Sequence, residues 1–93
     1  MIVGTASVSI YVPWVHSLKE KRMEVKSLCA KVRNTFNVSI AEVDSQDLHQ
    51  RIVLGFACVA NETALANSIL DHVLNFIEGN TEGEILSIER EIL

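Results

Sequence analysis

The 93-residue chain is predicted to form an α+β, ferredoxin-like domain, β-α-β-β-α-β, with a four-stranded antiparallel sheet and two helices on one face. Three observations predict it. Two segments carry apolar residues at helical spacing. Four others read as strands, and they flank the helices in the order of the split βαβ arrangement. Right-handed crossovers then put both helices on the same side of the sheet. The length allows a single domain, residues 1–93, without room for a second core. Hydrophobic residues make up 48% and charged residues 22%, which is the balance of a globular chain rather than a disordered one.

The first strand spans residues 2–12. Ile2, Gly4, Ala6, Val8, Ile10 and Val12 share one parity; Val3, Thr5, Ser7, Ser9 and Tyr11 share the other. Pro13 ends it by removing a ladder donor. Ser17-Leu18-Lys19-Glu20 is a capping box, so Ser17 opens the first helix. Leu18, Val25, Leu28, Cys29, Val32 and Phe36 follow on one arc, which lays this helix on a core. Asn37 supplies the turn out of it. Residues 38–44 form the second strand, and Ser45-Gln46-Asp47 is turn material. Residues 51–60 are apolar at both parities, as expected of a central strand. Asn61 caps the second helix, which runs to Glu78 over Leu65, Ala66, Ile69, Leu70, Val73, Phe76 and Ile77 before Gly79, Asn80 and Gly83 break it. Residues 84–93 complete the sheet, with Leu86, Ile88 and Ile92 on one face and Ser87, Glu89 and Glu91 on the other.

Charge is distributed unevenly. Six of the eight basic residues, Lys19, Lys21, Arg22, Lys26, Lys31 and Arg33, lie on the first helix. Residues 19–33 carry a net +4 and the rest of the chain −8. The overall −4 argues against binding nucleic acid or membrane with the whole surface, but leaves a local patch open. Lys19, Arg22, Lys26 and Arg33 fall within about 60° of one another, beside the apolar arc. Lysines and arginines at a helix start, where cations are disfavoured, suit an anion or RNA-backbone site, and Trp14 just ahead of them suits base stacking. The alternative is a solvated charged face with Trp14 folded over the core edge. Lys21 projects inside the apolar arc, so it either snorkels past the sheet edge or meets an acid there. Arg90, Glu42 and Asp44 also interrupt inward parities and are expected to pair at the rim of the core.

Other chemistry finds little support. His16, His49 and His72 have no metal-ligand spacing. Cys29 and Cys58 match no redox or metal pattern and read as buried, reduced thiols. No cofactor, metal or small-molecule substrate is expected, and the chain is not expected to be an enzyme. An enzyme acting on a phosphorylated small molecule would rest on the helix-terminal cations alone. Acylphosphatases share the fold order, but Pro13-Trp14-Val15-His16 has neither their glycine-rich loop nor their arginine. Leu54-Gly55-Phe56-Ala57-Cys58-Val59 superficially echoes an RNA-recognition motif, yet it keeps one of three stacking rings. With Gly55 and Ala57 turned toward a helix, Ile52, Leu54, Phe56 and Cys58 would face outward. That predicts a homodimer through the bare sheet. Residues 1–12 lack a positive n-region, and no apolar run approaches the ~18–20 residues that span a bilayer. A cytoplasmic protein with no membrane association is expected.

Three segments carry a resemblance to a known family. Ser17-Leu18-Lys19-Glu20-Lys21-Arg22, Phe36-Asn37-Val38-Ser39-Ile40-Ala41-Glu42-Val43 and Gln46-Asp47-Leu48-His49-Gln50-Arg51 resemble the YlxP-like bacterial proteins, a family of unknown function (domain of unknown function 503). The likeness spans nearly the whole chain and implies a ferredoxin-like fold. It implies no catalytic residues. The genes of such proteins often lie among those for transcription antitermination, translation initiation and ribosome maturation, which implies a translation-linked role. His49 stands where the family usually has an aromatic residue. Two readings follow: an RNA- or ribosome-associated factor using the first helix, and a homodimeric protein-interaction or regulatory module with no nucleic-acid role.

Overall fold

The computed structural model describes residues 1–93. Its elements are β1 (Ile2–Tyr11), α1 (Leu18–Thr35), β2 (Ser39–Asp44), β3 (Arg51–Ala60), α2 (Thr63–Asn80) and β4 (Glu84–Ile92). The strands pair antiparallel in the order β2-β3-β1-β4, so the fold is ferredoxin-like, as its sequence predicts. Both helices cover one face. α1 stands over the β2 flank, where Lys21 and Arg33 reach that strand. Arg90 on β4 reaches Asp71 and Asn67 on α2, tying the other flank together.

The capping box forms as expected, with Ser17 Oγ accepting from the Glu20 amide at 3.1 Å. α2 differs at both ends. Glu62 rather than Asn61 is its N-cap, without a side-chain cap bond. The helix runs on through Gly79 and Asn80, because Asn80 Nδ2 donates to Phe76 O and the Thr81 amide to Ile77 O. These bonds satisfy terminal carbonyls that would otherwise end the helix sooner. Phe36 and Phe76 close the seam between the helix ends, edge to face at 5.3 Å.

The parity of β3 is opposite to the expectation. Ile52, Leu54, Phe56 and Cys58 are each at most 3% exposed and lie in the core beneath the helices. They are therefore not an exposed interface. A strand apolar at both parities carries no period-2 signal, and bulk decides: the larger side chains fill the core. The open face takes Val53, Gly55, Ala57 and Val59. Gly55 lies under Val43, whose Cγ1 is 2.8 Å from where a Cβ would stand. The residue that admits a helix is Gly4, where a Cβ would meet Cys58 Sγ at 3.1 Å and Leu70 Cδ1 at 3.3 Å.

β4 also departs from simple alternation. A bulge opposite Ser9 and Ile10 brings Ile85 into register with Ile10 and leaves Leu86 as the extra residue. Gly83 makes the approach to this strand possible. A Cβ there would fall 2.8 Å from Tyr11 O, and a backbone atom in a ladder cannot step aside. Gly83→Ala is expected to cost about 1–3 kcal/mol, the range for overpacking, read as a lower denaturant midpoint.

Candidate nucleic-acid interface

The start of α1 is assembled around one buried ammonium. Lys21 is 1% exposed. Its Nζ donates to Ser45 O and, at 2.6 Å, to Leu48 O, and lies 2.7 Å from Glu42 Oε2. The two carbonyls take two of the three protons of the ammonium. Glu42 Oε2 is buried and accepts no directed hydrogen bond, so its contact with Nζ is a charge pair. Lys21 is thus excluded from the anion-contacting set in which the sequence placed it. Its position on the helical wheel, between Leu28 and Val32, turns it inward, and an acid meets it there. The clamp fastens α1 to the β2–β3 connection. Ser45 in that connection has φ 57°, a left-handed conformation uncommon outside glycine. Asp44 Oδ1 accepts from the Ser45 amide at 2.7 Å, so Asp44 serves the turn instead of an ion pair.

Lys19, Arg22 and Lys26 are exposed. The chain has two ion pairs, Lys21–Glu42 and Arg90–Asp71, so no carboxylate of the chain neutralises these three. Arg33 completes the row. Its Nη2 donates to Ile40 O at 2.6 Å, which leaves the other guanidinium donors of this exposed residue without a protein acceptor. The row therefore runs along the flank of α1 that faces β2. Lys31 is also exposed but lies about 120° away from Lys19, on the other side of the helix. The helix terminus itself is not an open anion site, because Ser17 already accepts from the Glu20 amide.

Trp14 sits in the turn between β1 and α1 and is 38% exposed, while neighbouring Val15 is fully buried and anchors the turn. Gln50 Nε2 donates to Pro13 O at 3.1 Å, tying this turn to the β2–β3 connection as well. His16 and His49 are exposed. His49 helps line a shallow hollow of about 260 Å³ with Tyr11, Leu48 and Arg51.

The opposite side of the molecule has a different character. A trough of about 520 Å³ crosses the open sheet face, floored by Thr5, Ser7, Gly55 and Ala57 and walled by Val43 and by Glu89 and Glu91. Glu89 and Glu91 repel phosphate there, and Arg90, which also lines the trough, is engaged by Asp71. The β3 ring that would stack on a base in an RNA-recognition motif, Phe56, is buried. The α1 row gathers four exposed cations without a salt-bridged carboxylate on one flank of a helix.

A family model described as a protein of unknown function (DUF503) matches residues 3–90. The chain belongs to the DUF503 family. A relative, the uncharacterized protein YlxP of Bacillus subtilis (strain 168), is 37% identical over 83 residues, 89% of this chain and 90% of that protein. A solution NMR structure of a de novo designed protein with a ferredoxin fold is similar with a TM-score of 0.60, covering 99% of this chain and 85% of that one. At 18% identity that likeness shows the fold alone.

Both cysteines of this DUF503 chain are free and buried. Burial pushes the Cys29 thiol up; Arg33 opposes the shift and Glu42 adds to it. A group protonated in the fold but ionisable when unfolded favours the unfolded chain at high pH. Its stabilising contribution is therefore complete below the ordinary thiol value of 9.0 and is lost as pH rises through the raised one. The denaturant midpoint should decline over that alkaline window more steeply for the native DUF503 chain than for Cys29→Ala. No group of three or more His, Cys, Asp or Glu is arranged to hold a metal ion. No helix is long and apolar enough to cross a membrane.

Proposed function

We propose that this DUF503 protein binds RNA through its phosphate backbone, using the outer row of α1. Lys19, Arg22, Lys26 and Arg33 contact phosphates, Trp14 offers a stacking surface at the row's leading end, and Lys21 positions the helix from beneath. The observation that carries this reading is the row itself: cations on one flank, free of in-chain carboxylates, on a protein of net charge −4. Electrostatic steering toward a polyanion needs that local field, and the acidic sheet face orients the molecule by repulsion. The translation-linked setting implied by the family resemblance makes ribosomal RNA the first substrate to try.

The test compares charge reversals on two sides of one helix. Lys19→Glu/Arg22→Glu/Lys26→Glu should abolish co-sedimentation with ribosomes or retention of RNA. Lys31→Glu changes charge on the other side and should leave binding nearly intact. Equal loss in both variants would reduce the effect to net charge, and no loss in the triple variant would end the proposal. The second reading, a protein-interaction module without nucleic acid, draws support from the open trough with its Glu89 and Glu91 walls.

A further inference from the structure

A hollow of about 570 Å³ lies at the trailing end of the α1 row, where Arg33, Asn37 and Ser39 line it together with Val3, Val38 and Val59. It exists because β2 is shorter than β3. The pairing of the two strands starts at Ser39 and Ala57, whereas β3 runs on to Ala60. Val59 stands in that overhang and is 65% exposed, so nothing covers it. The ladders fix the direction of its backbone groups. Val3 exchanges hydrogen bonds with Leu93 at 3.3 and 2.8 Å, so its amide and carbonyl point away from β3. Val3 and Val59 stand opposite one another. Theirs is therefore a non-hydrogen-bonded pair, and the Val59 amide and carbonyl point away from β1. They face the side that β2 would occupy, and β2 does not reach them. One donor and one acceptor are thus left open side by side, on apolar ground, beside a guanidinium with spare donors.

We propose that this hollow receives an unpaired nucleobase of the RNA strand whose phosphates lie along α1. The Val59 amide and carbonyl pair its edge, and Arg33 holds the adjoining phosphate. The inference rests on the RNA reading and adds to it a requirement for single strands. A base presents a donor next to an acceptor along one edge, as adenine does with its amino group and a ring nitrogen, and its faces are apolar enough to lie on valine side chains. An extended peptide is the poorer occupant. A strand binds through a row of backbone doublets, and the overhang offers one, at Val59. In a duplex the pairing edge is already taken and the major groove is too narrow to read, so the hollow stays unfilled.

The test uses oligoadenylate, alone and annealed to oligouridylate, each titrated with salt. The single strand should bind more tightly than the duplex. Val59→Pro should weaken the single strand about two- to tenfold, the span of one hydrogen bond, and leave the duplex and both salt slopes unchanged. Proline deletes the outward N–H without touching the β1–β3 ladder, which is where a strand tolerates it. Amide exchange of the unaltered protein gives a readout independent of any variant. Val59 should exchange rapidly in the free protein and become protected when oligoadenylate binds. Cys58, whose amide points to β1 opposite Gly4, should stay protected throughout. Equal affinity for single strand and duplex, with a steep salt slope, overturns the base site, leaves the overhang to an extended peptide and keeps the α1 row. Binding of neither form overturns the row and the base site together. A Val59 amide that stays unprotected in the complex overturns the base site alone. So does a Val59→Pro protein, folded by circular dichroism, that binds the single strand as the native protein does.

Discussion

Lys21→Met is expected to lower the stability of the fold by about 3–5 kcal/mol, the range for removing one partner of a buried ion pair. The substitution preserves most of the aliphatic volume, so the loss is electrostatic. Glu42 Oε2 remains buried with no cation near it, and the carbonyls of Ser45 and Leu48 lose their donor. For a chain of this length each kcal/mol corresponds to roughly 4–8 °C in melting temperature, so a fall of about 15–30 °C should be visible by calorimetry. Glu42→Gln should cost less, about 1–2 kcal/mol, because the ammonium keeps both carbonyls. Lys21→Met/Glu42→Leu should recover much of the loss, since an apolar pair of similar size needs no desolvation. If Lys21→Met is neutral, the clamp contributes nothing and the β2–β3 connection is held by its own turn.

Reversing Lys19, Arg22 and Lys26 together should change not only the affinity for RNA but its response to salt. Four phosphate contacts on a single strand predict a slope of about −3 for log K against log salt. With Arg33 alone remaining, the slope should flatten to about −1 or less. At low salt the loss should be large and uniform across RNA sequences, because backbone contacts carry no base information. Trp14→Ala should behave differently, weakening single-stranded binding by about 1–3 kcal/mol with the slope unchanged. A triple reversal that weakens binding while leaving the slope as it was would mean that the row acts through the fold and not through phosphates.

The order of elements was legible in the sequence because each helix declares itself twice, by period and by its ends. Ser17 and Glu20 located the start of α1 to the residue. The inward projection of Lys21 left two readings open, a snorkelled chain or an acid partner, and the second is the one observed. The parity of β3 was not legible. Ile52 to Cys58 and Val53 to Val59 are both apolar sets, and weighing the small residues as helix-admitting pointed the wrong way. Comparing side-chain volumes would have favoured the observed face. Both hydrogen-bond acceptors of Lys21 are backbone carbonyls, which no residue pattern announces. The extra residue in β4 was equally hidden, because a bulge shifts parity without a fixed signature. At the site, angular spacing grouped Lys19, Arg22, Lys26 and Arg33 and set Lys31 apart, but could not show that Arg33 also holds the edge of β2.

The strand order β2-β3-β1-β4 places α1 far from β4. The cations of α1 and the carboxylates Glu84, Glu89 and Glu91 of β4 therefore stand at opposite flanks of the sheet, and the molecule carries an electric dipole directed across its strands. Its rate of encounter with any polyanion should fall with ionic strength although the net charge is negative.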